Sequence, residues 1–420
     1  MFHSTTDVYQ IKRKAVNFAK QIVSKTNQVE TKFVTQVIYG IHKSGSVLLK
    51  DIADALNESV QVKNTIERLS RNLSRPLSSS VLDRYTQKMV KTLGKDPVIM
   101  VDDSDVIKPH GQAFEALGKV RDGSSKDNKM EKGYNVTEIV GLTVEQHQPV
   151  SLFSHIHSSW EKRYKSANDV LFRGLRHVIS HLTQTATFVF DRGYDMNALF
   201  DFMHQSKQNY IVRLTEKRNI FWKGKWFKSR VLRDSRKGKI KTTLTFREDG
   251  KTQQKTVYIS HLNVTITASK RPIRLVLVYG LGEQPMMLAT NKPIRGKQDA
   301  IDIVRDYMSR WRIEEYFRFK KQHFGFEDFR VRSLTSMNNL NQLLTYAMGM
   351  LGLVTEQSDT SQLYHRLIHN ARALRREVGF HYYQLAKGIV KTLAHARTGI
   401  RDWIPIRKTG PRQLALNLAC

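Results

Sequence analysis

PVIMVDD, at residues 97–103, is a short apolar run that stops on two adjacent carboxylates, Asp102 and Asp103. Continuous apolar residues over this length mark a strand buried on both faces. TFVFD, at residues 187–191, repeats the design and stops on Asp191. In an open α/β sheet, ligand chemistry collects beyond the carboxyl ends of the strands. Neighbouring parallel strands would set Asp102 and Asp191 side by side there. Two close carboxylates repel unless a proton or a cation intervenes, and a hard divalent ion with oxygen ligands, Mg²⁺ or Mn²⁺, meets that need. Taken singly, either Asp is better explained as a cap on the turn that follows it.

Working outward, the Gly-, Lys- and Asp-rich residues 118–133 read as a loop. YNVTEIVGLTVE (134–145) and PVSLFSHIHS (149–158) read as paired strands that turn at His147–Gln148. A helix is expected over 166–182, another over 195–205, and a strand at NYIVRL (209–214). The resulting β-β-β-α-β-α-β order suits a mixed α/β sheet. Residues 215–293 change texture. WKGKWF, KTTLTFRED, KTVYISHLNVTITA, IRLVLVYGL and MMLATN are short, β-branched or aromatic, and punctuated by Gly, Asp and Pro, as in an all-β insertion. Both ends read as helical. In the N-terminal part, LLKDIADAL (48–56) is broken at Asn57. Ser59 is placed to cap a second helix carrying Val62, Ile66, Leu69 and Leu73. This is either a helix-turn-helix with Lys63, Arg68 and Arg71 toward phosphate or an ordinary helical hairpin. The tail, about 335–410, reads as mostly helical and basic, with ARALRREV and KGIVKTLAHAR as its clearest stretches.

Lys and Arg number 69 against 38 Asp and Glu, a formal net charge of +31. Such an excess points to a polyanionic partner, because neutralising phosphates releases counterions. A single cysteine, Cys420, excludes a disulfide framework and argues against a cysteine-based zinc site. The opening residues MFHSTTDVYQIKRKAV lack the apolar core of a secretory signal, and no apolar run is long enough for a membrane span.

DYMSRWRIEEYFRFKK, at 306–321, supplies a third acid. On one continuous α-helix, Tyr307, Arg310, Glu314 and Lys321 fall within about 60° of arc, while Glu315 lies roughly 100° from Glu314. One face then carries an aromatic ring, a guanidinium, a carboxylate and an ammonium. The plainer alternative is a solvated face of Glu–Arg and Glu–Lys pairs.

This spacing, Y-(2)-R-(3)-E-(6)-K around RWRIEE, resembles the Y-R-E-K signature of bacterial DDE transposases of the insertion-sequence-four group. DRGYD (191–195) resembles the block around that family's second Asp. VDDSD (101–105) resembles the D-x-[ST] block around its first, with Asp102 and Ser104 in that spacing and Asp103 as runner-up. The likeness spans roughly residues 95–325. It implies an α/β fold whose RNase H-like, mixed-sheet catalytic core is interrupted by an all-β insertion and flanked by helical regions. The divisions would be a helical DNA-binding domain at 1–92, core at 93–214, insertion at 215–293, core again at 294–330, and a helical region at 331–420 that either dimerises or packs on the core.

The resemblance further implies that Asp102, Asp191 and Glu314 are catalytic ligands of Mg²⁺, two ions being expected, with Mn²⁺ as a substitute. Tyr307, Arg310 and Lys321 would hold DNA phosphates, and Arg213 matches a family Arg before the insertion. The implied activity is metal-dependent cleavage at transposon ends and strand transfer into target DNA. Its partners would be double-stranded DNA and a second copy of the chain, with no membrane and no organic cofactor. The implied setting is the bacterial cytoplasm, at the nucleoid. One departure stands out. Where base-flipping members carry a Trp before an LATN-like block, this chain has Met286 and Met287. Trp222 and Trp226 could stack on a base but are more readily read as β core. An endonuclease of the same fold without strand transfer, or a non-catalytic DNA-binding descendant, is the alternative.

Overall fold

A computed structural model describes residues 2–23, 26–123, 127, 129–248, 251–266, 272–371 and 379–404. Cys420 and nearly all of ARALRREV lie outside the described residues. The chain opens with five helices: α1 (Phe2–Ile22), α2 (Gln28–Ser44), α3 (Leu49–Leu56), α4 (Val62–Leu73) and α5 (Ser79–Val90). Asn57 does end α3, in the left-handed region at φ 46°, which Asn tolerates better than most residues. Ser59 is not the cap of α4. That helix starts later, from Gln61, without a side-chain cap. Arg68 does not face outward either: its guanidinium lies 2.7 Å from Glu58 and 2.8 Å from Gln36, while Lys63 and Arg71 remain exposed.

The central elements follow as β1 (Val98–Ile107), β2 (Gly118–Arg121), β3 (Met130–Leu142), β4 (Pro149–His157), α6 (Ala167–His181), β5 (Thr187–Phe190), α7 (Asn197–Gln205) and β6 (Asn209–Arg213). The stretch expected as a loop at 118–133 therefore holds β2 and the start of β3, paired from Gly118↔Gly133 to Arg121↔Met130. Gly118 and Gly133 are pairing positions: a Cβ on Gly133 would come within 2.4 Å of the Val106 carbonyl oxygen.

Next come β7 (Asn219–Trp222), β8 (Lys225–Lys228), α8 (Ser229–Asp234), β9 (Ile240–Glu248), β10 (Lys251–Ile266), β11 (Pro272–Tyr279) and β12 (Met286–Thr290). One helix, α8, thus sits among strands where only strands were expected; it buries Leu232 and holds Arg233 against Glu216 and Asp234. These strands prolong one sheet in the order β2-β3-β1-β5-β6-β12-β11-β10-β7-β8, with β4 on β3 and β9 on β10. Among the described residues only β1/β5 and β5/β6 pair in parallel. Trp226 is not core: it is 55% exposed on the edge hairpin β7–β8. Trp222 is half-buried, with Lys223 and Arg236 about its ring.

The chain closes with α9 (Lys297–Met308), α10 (Trp311–Phe324), α11 (Leu334–Thr355), α12 (Gln362–Asn370) and α13 (Tyr382–Leu393). The molecule is thus a mixed α/β protein with helices at both ends. The tail is not uniformly basic. α11 carries no charged residue and is buried along nearly its whole length. It packs on β4, α2 and α4, and the Tyr85 hydroxyl from α5 sits on the carbonyls of Ser151 and Thr345. A smaller core covers the other face of β5, β6, β11 and β12, where α9 packs Ala300, Ile301, Ile303, Val304 and Tyr307. Among the described residues no helix is long and apolar enough to cross a membrane.

Candidate active site

Val101↔Phe190 is the last pair of the parallel β1/β5 ladder. Asp102 and Asp191 are the next residues on each strand, so adjacent strands bring them together. β5 stops because the Asp191 side chain accepts the Arg192 N–H and opens a short 3₁₀ turn, Arg192–Tyr194. Asp191 thus caps the turn that follows it and also stands within electrostatic reach of Asp102. Asp195, at the end of the same DRGYD block, is buried against Arg218 at 2.6 Å and accepts from the Thr215 backbone and hydroxyl, which fixes the loop that carries Asp191.

The stretch 306–321, read as one continuous helix, is divided between two helices. α9 ends at Met308 and α10 begins at Trp311, with Arg310 at the joint. α9 packs into the smaller core and α10 into the larger one through Ile313, Tyr316 and Phe319, so the chain must change direction between them. Arg310 uses that joint. One guanidinium nitrogen is 2.8 Å from Asp102 Oδ2 and the other 2.6 Å from Glu314 Oε1. Asp191 and Tyr307 also lie within its electrostatic reach. Residues far apart in sequence thus meet around one cation. Glu315 points elsewhere, to Arg312 at 2.8 Å, and Arg312 also donates to the carbonyls of His147 and Gly379.

Tyr307 is buried beside Arg213 at the end of β6, and burial raises its hydroxyl pKa. Lys321 stands apart from this group: it pairs with Asp105 and, at 3.2 Å, with Glu327. Asp103 accepts from the Thr137 hydroxyl at 2.7 Å rather than meeting Arg310. Burial pushes the Asp102 carboxyl up to about 7, opposed by Arg310 and reinforced by Asp191 and Asp103. The oxygens of Asp102, Asp191 and Glu314 do not all lie within single-ion ligand spacing. Among the described residues that spacing, under 4.8 Å for every pair, is met by Asp83, His177 and His181.

One buried ion pair next to these residues escaped sequence reading. Lys320 of α10 lies 2.9 Å from Glu138 of β3, both fully buried. Glu138 also accepts from the Ser151 and Ser154 hydroxyls, and Ser154 accepts from Asn341 of α11. Glu138 is the register partner of Asp102. The pair therefore ties the helix bearing Glu314 to the strand next to Asp102. Its only signal was a lone Glu in the apolar run VTEIVGL.

A sequence profile described as "Transposase DDE domain" matches residues 94–348, well over half of the chain. No curated protein matches. Among solved structures, a piggyBac transposase, seen by cryo-electron microscopy in a synaptic complex with hairpin DNA, is similar at a TM-score of 0.45 and 10% identity. That likeness covers 96% of this chain and 84% of the other.

Proposed function

Because the chain belongs to the transposase DDE domain family, we propose that it is a DNA transposase whose catalytic carboxylates are Asp102, Asp191 and Glu314. The observation that carries this reading is the Arg310 guanidinium bound to Asp102 and Glu314 with Asp191 alongside. Two acids at the ends of adjacent strands and a third on a later helix support an RNase H-like core of the insertion-sequence-four type, with residues 215–293 inserted. An all-oxygen donor set fits Mg²⁺ or Mn²⁺. Two such ions, about 4 Å apart, would supply an activated attacking oxygen and a counter-charge for the leaving one.

The chain's own residues do the rest. Arg310 balances the acid cluster, and on DNA its fork can exchange a carboxylate for a phosphate oxygen, as both accept two parallel N–H bonds. Arg213 and Tyr307 sit next to it to hold the same strand. Lys321 reaches phosphate only by leaving Asp105. The net charge and the exposed aromatic, lysine-rich β7–β8 hairpin suit DNA, since base stacking and counterion release both favour binding there. A second copy of the chain joins when two transposon ends are held together.

The test uses the full chain, Mg²⁺ and linear DNA from either side of its gene, searched for a pair of short inverted repeats. Nicks at the repeat boundaries, and joined products from precut 3′-hydroxyl ends, are expected. Cleavage without joining would replace transposase by endonuclease. DNA binding without either would leave a non-catalytic descendant.

Acidity gives a second measurable outcome. In the cation-free protein Asp102 titrates near 7, while in the unfolded chain it titrates near its ordinary value of about 3.9. Between those values the folded state binds the extra proton, so stability falls as pH rises, by up to about 1.4 kcal/mol per pH unit. Mg²⁺ held by the ionised carboxylate offsets this. The rise in Tm on adding Mg²⁺ should therefore be small at pH 5 and large at pH 8, measured by differential scanning fluorimetry. An equal rise at both would remove Asp102 from the ion site.

A further inference from the structure

We propose that Asp83, His177 and His181 form a second cation site, of zinc type, that clips α5 to α6. His177 and His181 are four residues apart on α6, so one face presents both rings, with centroids 4.7 Å apart. Asp83 of α5 reaches across, its Oδ1 lying 3.7 Å from His177 Nδ1 and 3.6 Å from His181 Nε2. Tetrahedral zinc, with bonds of about 2.0–2.1 Å, separates its ligand atoms by about 3.4 Å. The three groups stand close to that spacing already.

The hydrogen bonds decide which ring nitrogens are available. The Thr86 hydroxyl donates its one proton to the Leu152 carbonyl at 3.0 Å. It therefore accepts from His177 Nε2 at 2.8 Å. His181 Nδ1 lies 2.8 Å from the His177 carbonyl oxygen, which can only accept, so that nitrogen also carries its proton. A neutral imidazole has one N–H. The lone pairs of His177 Nδ1 and His181 Nε2 consequently both face the Asp83 carboxylate. Three acceptors turned toward one another need a cation between them.

Metal-ligating histidines are held in this way, with the outer N–H fixed on a protein acceptor. Two imidazoles and one carboxylate suit Zn²⁺, or Co²⁺ as its probe, rather than Mg²⁺. The Asp83 side chain is 52% exposed, so an ion and a completing water can enter from solvent. α5 is the last helix before β1, and α6 lies on β3 and β4. The ion would thus fasten the N-terminal helices to the sheet that carries Asp102.

The experiment takes the full chain carrying Asp102→Asn and Asp191→Asn, which disables the carboxylate site, strips it with chelator, and titrates Co²⁺ and then Zn²⁺. One equivalent of Co²⁺ should give a visible absorption band that Zn²⁺ abolishes, and Zn²⁺ should raise Tm. Adding Asp83→Asn, at a half-exposed position that tolerates change, should remove band and Tm rise together. Thr86→Val should weaken binding by about tenfold or more by freeing the His177 ring. Binding unchanged by Asp83→Asn and by His181→Ala overturns the proposal. So does an absence of Co²⁺ binding by the folded chain, which would leave a shared proton as what joins the three groups.

Discussion

Glu314→Gln should lower Mg²⁺-dependent strand cleavage on the order of a thousandfold or more, as removal of one member of a catalytic unit commonly does, while Glu315→Gln should stay within a few-fold of the native rate. The two residues are adjacent glutamates near the start of one helix, so composition and propensity are matched between the variants. They differ in direction, by roughly 100° about the helix axis. Glu314 meets Arg310 and through it Asp102; Glu315 meets Arg312. Gln keeps the volume and the hydrogen-bonding reach but lacks the charge that a divalent ion requires. Binding to transposon-end DNA should survive in both variants, because removing a negative charge does not oppose phosphate. Single-turnover nicking on a gel and fluorescence anisotropy separate the two readouts. The assignment fails if Glu315→Gln is the dead variant and Glu314→Gln the active one.

That contrast was legible before any coordinates, because helical geometry separates neighbours whatever surrounds them. The strands were legible for a similar reason: TFVF is apolar at every position, and Phe188 and Phe190 enter the larger core while Val189 enters the smaller. What stayed hidden depended on partners remote in sequence. No Pro or Gly marks the break at Ser309–Arg310; it arises because α9 and α10 serve different cores. The lysine and glycine of β2 look like a loop until β3 supplies the pairing. Arg310 and Lys321 read as cations free for phosphate, yet their acids, Asp102 and Asp105, lie more than two hundred residues upstream. The histidine cluster needed Asp83 from another helix, and α11 needed the cores around it before its lack of charge meant burial.

The largest effect on stability should come from Glu138→Leu. Removing one partner of a buried ion pair strands the other charge, at a cost of about 3–5 kcal/mol. Lys320 is fully buried, and burial already lowers its pKa against the pull of Glu138. Without Glu138 it should fall further, so the folded variant sheds its proton at a lower pH than the unfolded chain does. The sign follows: the unfolded chain then binds a proton that the folded chain lacks, so the variant should regain stability as pH rises toward the ordinary lysine range, near 10. Adding Lys320→Met should restore most of the loss at every pH, because an apolar pair of similar volume often matches a buried ion pair. The Ser154 hydroxyl would still lose its acceptor, which leaves a residual cost of about 1–3 kcal/mol. Recovery of Tm without recovery of cleavage in the double variant would show that the pair sets the position of α10, and with it Glu314, over β1. A Glu138→Leu protein as stable as the native one at pH 7 would mean that the ammonium has another buried partner and that α10 is held by packing alone.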